Sequence, residues 1–186
     1  MTTQVSDAMR VTTSLDATKL TGNLPAISGA SLTGVVGKIV QVVNVIDSAV
    51  ATGTTILPSD DTIPQNTEGI EVMTLAITPT SATNKLLIEV FVNMGVNIGG
   101  ERRGVALFQD STAGALGASA DYESGGNEPI PLSMNHYMTS GTVSETTFKV
   151  RIGISAAATV TFNGHSSGRI NGGVMSSSIT ITEIAV

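Results

Sequence analysis

The alternation of apolar and polar residues from Leu86 to Ile98 constrains the fold more than any other part of the sequence. Every second position is apolar, at Leu86, Ile88, Val90, Val92, Met94, Val96 and Ile98. Successive side chains of a β-strand point to opposite faces, so this period of two predicts a long, half-buried strand. Leu87 and Phe91 are apolar on the other side, and we predict that they contact neighbouring copies of the chain or, alternatively, a loop of the same chain.

Other stretches rich in β-branched residues or alternating in polarity predict further strands, and no stretch has a convincing helical period. With the stretch above they number about eight and cover residues 37–46, 70–78, 86–98, 105–109, 132–138, 146–155, 159–162 and 176–184. Residues 37–46 are apolar on both sides, which predicts a strand buried on both faces. Residues 99–104, with Arg102 and Arg103, are predicted to form a turn, and residues 110–129 a long loop or edge excursion. The expected fold is all-β, an antiparallel, jelly-roll-like β-sandwich.

The segment before these strands, residues 15–34, has an apolar pattern of a different kind. Its aliphatic residues are Leu15, Leu20, Leu24, Ile27 and Leu32, and the tetrapeptides KLTG and SLTG frame the sequence NLPAISGA. The spacings fit neither a helical stripe nor a strand alternation, and the glycines and the proline oppose a helix. Three copies around a threefold axis could bury these side chains in an extended, intertwined stalk. The alternative is a loop that docks on its own domain.

Three regions follow from these patterns. Residues 1–14 are polar and rich in threonine, and we interpret them as an N-terminal attachment segment or, alternatively, as a frayed terminus. Residues 15–36 form the predicted trimeric stalk or linker. Residues 37–186 form the predicted sandwich, which we call the head.

Composition narrows the classes of partner. The chain has 186 residues, a net charge of −6, 13% charged residues and no cysteine. The lack of a basic cluster beyond Arg102 and Arg103 argues against nucleic-acid binding. No apolar run approaches the ~18 residues of a membrane span, so membrane insertion is not expected. The N-terminal residues also lack the pattern of a secretory signal.

Several short patterns resemble catalytic or metal-binding motifs, but we interpret none of them as an active site or a metal site. Residues 164–168 read G-H-S-S-G and match the nucleophile pattern of hydrolases, but no helix and no histidine follow them. His136 and His165 are the only histidines and lack zinc-ligand spacing. Asp121 and Glu123 resemble a glycosidase carboxylate pair without an aromatic platform. We therefore expect no enzyme, no metal and no cofactor.

With these residues in view, the sequence resembles a family of short-stalked phage virion proteins of the tail-fibre or fibre-like type. The resemblance covers about residues 15–186. Its most specific parts are the LTGNLPAISGASLTG linker and the segment ITPTSATNKLLIEV at residues 77–90. Weaker parts are GKIVQVV, ALFQDS, TTFKVRI, TVTFNG and SSSITITEIAV. The resemblance implies a homotrimer displayed on a virion, attached to other virion proteins through the N-terminal segment. Because only 14 residues precede the linker, a short spike on a capsid or tail fits better than a full-length fibre.

Three functional hypotheses remain. The first is a spike that adheres to host surface glycans, with Arg102, Arg103, Tyr122, Tyr137 and His165 as candidate contacts, since arginine binds carboxylate or phosphate and aromatic rings stack on sugars. The second is a decoration or cement protein that locks capsid or tail subunits and binds no receptor. The third, a polysaccharide-degrading enzyme, lacks the expected carboxylate pair and aromatic groove.

Overall fold

The computed structural model describes residues 38–122 and 128–186. The predictions for the attachment segment and for all five aliphatic stalk positions therefore lie outside the described residues. Residues Gly37–Val186 form one compact unit. Its described strands are β1 (Ile39–Asp47), β2 (Ala51–Gly53), β3 (Ile70–Ile77), β4 (Lys85–Val96), β5 (Arg102–Gln109), β6 (Gly117–Tyr122), β7 (Ile130–Thr139), β8 (Thr146–Ile154), β9 (Val160–Phe162), β10 (Gly164–His165), β11 (Gly168–Arg169) and β12 (Ser177–Ile184).

The long alternating stretch forms β4, the central strand of the first sheet. Strand β7 pairs with it along one edge, from Lys85 opposite Thr139 to Met94 opposite Ile130. Strands β12 and β9 pair in succession with the other edge of β4. Strand β1 then pairs with β12, and β2 with β9. All of these pairs are antiparallel, so β4 has a neighbour on both sides over most of its length.

The second sheet has the order β3–β8–β5–β6 and is also antiparallel throughout. Strands β10 and β11 form a separate short hairpin. The chain passes from β3 in the second sheet to β4 in the first and returns for β5 and β6. It then crosses to β7, returns for β8, and crosses again for β9 and β12. The described fold is thus the all-β, antiparallel sandwich that the sequence predicts.

The core lies between the two sheets. The inward side of β4 contributes Leu86, Ile88, Val92, Met94 and Val96, all fully buried. These residues pack in one cluster with residues of the second sheet, among them Val105, Leu107, Phe148, Val150 and Ile152. Burial of aliphatic side chains at about 1.5–3 kcal/mol each is the main source of stability for such a sandwich.

Two sequence predictions need correction, and the structure makes a third more specific. The stretch 37–46 was expected to be buried on both faces, but β1 lies at a sheet edge and exposes alternate residues, with Val42 55% and Ile46 67% exposed. The sequence predicts a turn at Arg102 and Arg103, whereas in the structure they begin β5. The region 110–129 was expected to be a loop or edge excursion, and part of it forms the edge strand β6. Short strands β2, β10 and β11 were not predicted, because two or three residues carry no detectable period.

Candidate functional site

The outward side of the first sheet is the most unusual surface of the described head, and we call it the open face. Its rows follow from the strand register. One row is Val42, Thr182, Leu87 and Tyr137; the next is Asn44, Thr180, Glu89 and Asn135; the third is Ile46, Ser178, Phe91 and Ser133. Two rows thus combine apolar side chains with hydroxyls, and the row between them is polar.

The apolar side chains of the open face are exposed. Phe91 is 41% and Tyr137 58% exposed, and Leu87 is partly exposed. No described loop covers Phe91, so the alternative that the chain shields this residue with its own loop is not supported within residues 38–122 and 128–186. Several exposed apolar groups on one face of a sheet are typical of interaction sites.

The polar row between the two apolar rows is partly internally bonded. Asn44 Nδ2 donates to Thr180 Oγ1 at 2.8 Å and to the carbonyl oxygen of Ile179 at 3.2 Å. Glu89, Ser133, Asn135 and Thr180 line a shallow depression of about 540 Å³ beside the Phe91 ring. Glu89 is the one carboxylate in this depression. A face with one carboxylate and many hydroxyls is suited to contact and hydrogen bonding, and it offers no pair of groups for acid–base catalysis.

The outward side of the second sheet is different, because loops of the same chain cover much of it. Leu57 is buried and packs directly on Gly104 and Gly153, where an added Cβ would collide with its side chain. Further along, Asn66 N donates to the carbonyl of Ala113 at 2.8 Å. Phe108 also faces outward in this sheet, opposite Lys149, yet it is only 1% exposed. We call this surface the covered face.

Glu183 joins the two sheets at one end of the sandwich. Its fully buried carboxylate accepts hydrogen bonds from Asn84 Nδ2 at 2.6 Å, Gln41 Nε2 at 2.6 Å, and the backbone N and Oγ1 of Thr80, both at 2.8 Å. Burial acts to raise the pKa of Glu183, but these donors outweigh it and lower the pKa from 4.5 to about 2. The carboxylate therefore holds the turn between β3 and β4 against β1 and β12.

The five predicted glycan contacts do not meet at one site. Arg102 and Tyr122 lie side by side as a cross-strand pair, with the guanidinium carbon 5.8 Å from the ring centroid. Tyr137 lies on the open face of the other sheet, and His165 lies in the β10–β11 hairpin.

Arg103 requires a correction, because it is only 1% exposed. Its Nη1 donates to the carbonyl of Glu128 at 2.5 Å, which ties β5 to the segment that leads into β7. A side chain buried in this way does not reach an external glycan, and Arg103 acts as a structural residue of the head. Burial of an arginine between sheets has no signal in a sequence, where it reads as an ordinary surface charge.

The G-H-S-S-G pattern forms the hairpin of β10 and β11. Ser166 and Ser167 both have positive φ, at +49° and +63°. Ser166 Oγ lies 3.4 Å from His165 Nδ1 and 3.3 Å from Nε2, nearly equidistant from the two ring nitrogens. A general base accepts a hydroxyl proton along one nitrogen lone pair, so this contact differs from a nucleophile–base pair.

Three further observations concern the part of the chain that the structure describes. No group of three or more His, Cys, Asp or Glu side chains there is arranged to hold a metal ion. Asp60 has its pKa lowered by hydrogen bonds from Thr62, whose Oγ1 lies 2.5 Å from Asp60 Oδ1. No helix within the described ranges has the length and apolar character needed to cross a membrane.

With the head described as an antiparallel sandwich that has one open face, it can be compared with known proteins. No family profile and no curated protein matches the chain. Similar solved structures include Eiger TNF from S. frugiperda, with 12% identity, a TM-score of 0.42 and coverage of 77% of this chain and 93% of that chain. The sugar-binding EclA C-terminal domain has 18% identity, a TM-score of 0.35 and coverage of 62% and 74%.

The VP2 subviral particle of infectious bursal disease virus is a third similar structure. It has 11% identity and a TM-score of 0.39, and the match covers 78% of this chain and 38% of that chain. At such low TM-scores and identities, none of these three proteins defines a family or a function for this chain.

Proposed function

We propose that the chain is a structural protein of a phage particle that forms a short homotrimeric spike or fibre. In this proposal the N-terminal segment attaches to other virion proteins. The head is displayed on the surface of the capsid or tail, where it adheres to a host surface glycan. The observation that carries the proposal is the open face, where Ile46, Phe91 and Tyr137 are exposed on the outward side of a complete sheet.

The area of the open face and its position beside the predicted stalk support contact with other copies of the chain. Four strands spaced about 4.8 Å apart, over nine residues of about 3.3 Å each, span roughly 570 Å². This is the area of the whole face, in which two rows carry the apolar side chains and the row between them is polar. Strand β1 contributes Val42 and Ile46 to the face, and β1 begins at Ile39, directly after the predicted stalk. A trimeric stalk would therefore hold three β1 strands at high effective concentration.

Trimerisation also supports adhesion. Three heads on one stalk present equivalent surfaces to a repetitive polysaccharide, so that three weak contacts give tight overall binding. Among the described residues, the Arg102–Tyr122 pair is the strongest candidate for such a contact. The Tyr122 ring is 53% exposed, and the Arg102 guanidinium carbon lies 5.8 Å from the ring centroid. Tyr137 is a poorer candidate in this proposal, since the same face is used for contact between copies.

Solution mass tests the assembly. We expect the purified full chain to have three times the 19.0 kDa mass of one chain by light scattering coupled to size exclusion. Leu24→Asp with Ile27→Asp is expected to weaken the trimer, because it places carboxylates in the predicted stalk. A chain that is monomeric at all concentrations would refute the spike.

Attachment is tested on particles. We expect that deletion of residues 1–14 leaves a soluble trimer that no longer binds to virions. A truncated protein that still copurifies with virions would show that attachment lies elsewhere in the chain.

A second candidate function, a decoration or cement protein, is favoured by one observation. The predicted glycan contacts lie at three separate places, and Arg103 is buried. Loss of the protein from the particle separates the two functions. Stable particles that no longer adsorb to cells support the spike, whereas particles that burst and yet adsorb normally before bursting support the cement role.

A further inference from the structure

The sequence contains two Asn–Gly dipeptides, Asn163–Gly164 and Asn171–Gly172, and the structure places them in opposite environments. Asparagine before glycine is the sequence most prone to spontaneous deamidation, because glycine leaves its own backbone nitrogen accessible. We propose that Asn171 is a site of spontaneous deamidation in the folded protein and that the fold protects Asn163. This proposal is independent of the proposed function.

The chemistry needs only water. The deprotonated backbone nitrogen of Gly172 attacks the side-chain carbonyl carbon of Asn171 and forms a new C–N bond. The bond from that carbon to Nδ2 breaks, and the amide nitrogen takes up a proton and leaves as ammonia. Water then opens the resulting five-membered imide and gives aspartate or isoaspartate at position 171.

The surroundings of Asn171 permit this reaction. Asn171 and Gly172 are both exposed and lie in a single short 3₁₀ turn, Asn171–Gly173. Within the described ranges the Asn171 side chain makes no hydrogen bond, and nothing lies within 4 Å of the position that a Cβ of Gly172 would take. No side-chain hydrogen bond therefore has to break for the Asn171 side chain to rotate toward the Gly172 nitrogen.

The surroundings of Asn163 oppose the reaction at every step. Asn163 is 1% exposed, and its Nδ2 donates to the carbonyl of Asp47 at 2.7 Å and to that of Ala49 at 3.2 Å. Its Oδ1 accepts a hydrogen bond from Ser177 Oγ at 2.7 Å. A Cβ at Gly164 would collide with the carbonyl oxygen of Gly168, so this segment is also crowded. Asn163 reacts only after this buried network opens.

The experiment compares the two sites in one sample. The full chain is incubated at neutral and mildly alkaline pH, and peptide masses and isoaspartyl methyltransferase labelling report conversion at each asparagine. We expect Asn171 to convert at least about a hundredfold faster than Asn163, because buried segments open only rarely. In denaturant the two rates should approach each other, since both sites then present the same Asn–Gly dipeptide in an unfolded chain.

Two variants test each asparagine separately. Asn171→Gln removes the reactive dipeptide at an exposed position and should abolish the signal at 171 without a change at 163. Ser177→Ala removes the donor to Asn163 Oδ1 and should raise conversion at 163 alone. Equal rates at the two sites in the folded protein would overturn the proposal, as would an Asn171 that reacts only in denaturant.

Discussion

The outward sides of the two sheets differ in how far the chain itself covers their apolar side chains. On the covered face, Leu57 packs on Gly104 and Gly153, and the outward-pointing Phe108 is almost fully buried by the chain itself. On the open face, Ile46 is 67% and Phe91 41% exposed. One chain therefore shields apolar groups on one sheet and leaves comparable groups bare on the other.

The difference is informative because both faces are built on the same core. Each sheet contributes aliphatic residues to one continuous cluster, so the open face is not needed to complete the hydrophobic core. Apolar side chains that serve neither the core nor a loop contact are expected to be shielded by another molecule. In the proposed trimer we therefore expect the open face to contact neighbouring copies and the covered face to lie outside the contact between copies.

The largest expected effect comes from charges on the open face. Phe91→Asp together with Ile46→Asp should weaken association of copies at least about a thousandfold, or about 4 kcal/mol, because central apolar anchors carry most of the binding energy of an interface. Sedimentation velocity over a concentration series measures this change. Unfolding by denaturant should be affected much less, since both side chains are exposed in the single chain.

The matched control places two carboxylates on the outward side of strand β3 in the second sheet. Thr74→Asp together with Ala76→Asp adds carboxylates to β3, and we expect association to stay unchanged. If both pairs of substitutions weakened association equally, net charge rather than the open face would control assembly.

The next largest effect is expected on folding stability, at Glu183, whose hydrogen bonds join the two sheets. Glu183→Gln keeps the side-chain shape but removes the charge that accepts hydrogen bonds from Asn84, Gln41 and Thr80. A lowering of the pKa from 4.5 to about 2 corresponds to about 3 kcal/mol of stability at neutral pH. Denaturant unfolding of the variant should show a loss of this order.

The pH dependence has a defined sign. The pKa of Glu183 is lower in the folded state, so its stabilisation is fully present above pH 4.5 and is lost as the pH falls toward about 2. Unfolding free energy of the natural chain should therefore decline across this window. In Glu183→Gln this part of the decline should be absent. An identical pH profile in both proteins would show that Glu183 does not hold the turn between β3 and β4.

A smaller effect is expected on the covered face. Gly153→Ala would place a Cβ against the Leu57 side chain and 2.9 Å from the Leu57 nitrogen, which should cost about 1–3 kcal/mol through overpacking. Gly168→Ala is the control, because its nearest neighbour, the carbonyl oxygen of His165, lies at an ordinary 3.5 Å. We expect this control to stay within about 0.5 kcal/mol of the natural chain. Association of copies should be unchanged in both.

The sequence was sufficient to predict the long strands and their inward residues. It did not predict which strands lie at a sheet edge or which residues are neighbours across strands. The alternation in β4 and β8 identifies inward residues such as Val92 and Val150, because a period of two survives any tertiary arrangement. It does not say whether a strand lies at an edge, so Val42 and Ile46 were predicted as buried. The unusual exposure of Phe91 was visible as an apolar interruption, but its position beside Ile46 depends on the pairing of β12 with both β1 and β4.

The buried polar residues were the least predictable part of the head. Glu183 follows an alternation of hydroxyls and isoleucines and reads as the polar end of a surface strand. Its burial depends on donors that are distant in sequence, at Gln41, Thr80 and Asn84. Arg103 was misplaced for the same reason, since its acceptor at Glu128 belongs to another strand connection. Contacts over such separations leave no local pattern in one sequence.

The smallest predicted effects concern Arg151 on the covered face, which contacts two backbone carbonyls and one carboxylate. Arg151 Nε donates to the carbonyl of Glu68 at 2.7 Å and Nη2 to that of Gly69 at 2.8 Å, while Nη1 lies 3.4 Å from a Glu71 carboxylate oxygen. The two carbonyls belong to the loop that covers the sheet, so Arg151→Met should cost about 1–2 kcal/mol.

The ion pair of Arg151 should contribute much less than its carbonyl contacts. The Glu71 side chain is 38% exposed, and pairs exposed to solvent are screened, so Glu71→Gln should cost less than about 0.5 kcal/mol. Denaturant unfolding at low and high salt measures both variants. If Glu71→Gln were the more damaging change, and high salt removed the difference, surface charge would hold the covering loop in place. In that case the covered face would depend on ionic strength, and its contrast with the open face would disappear in high salt.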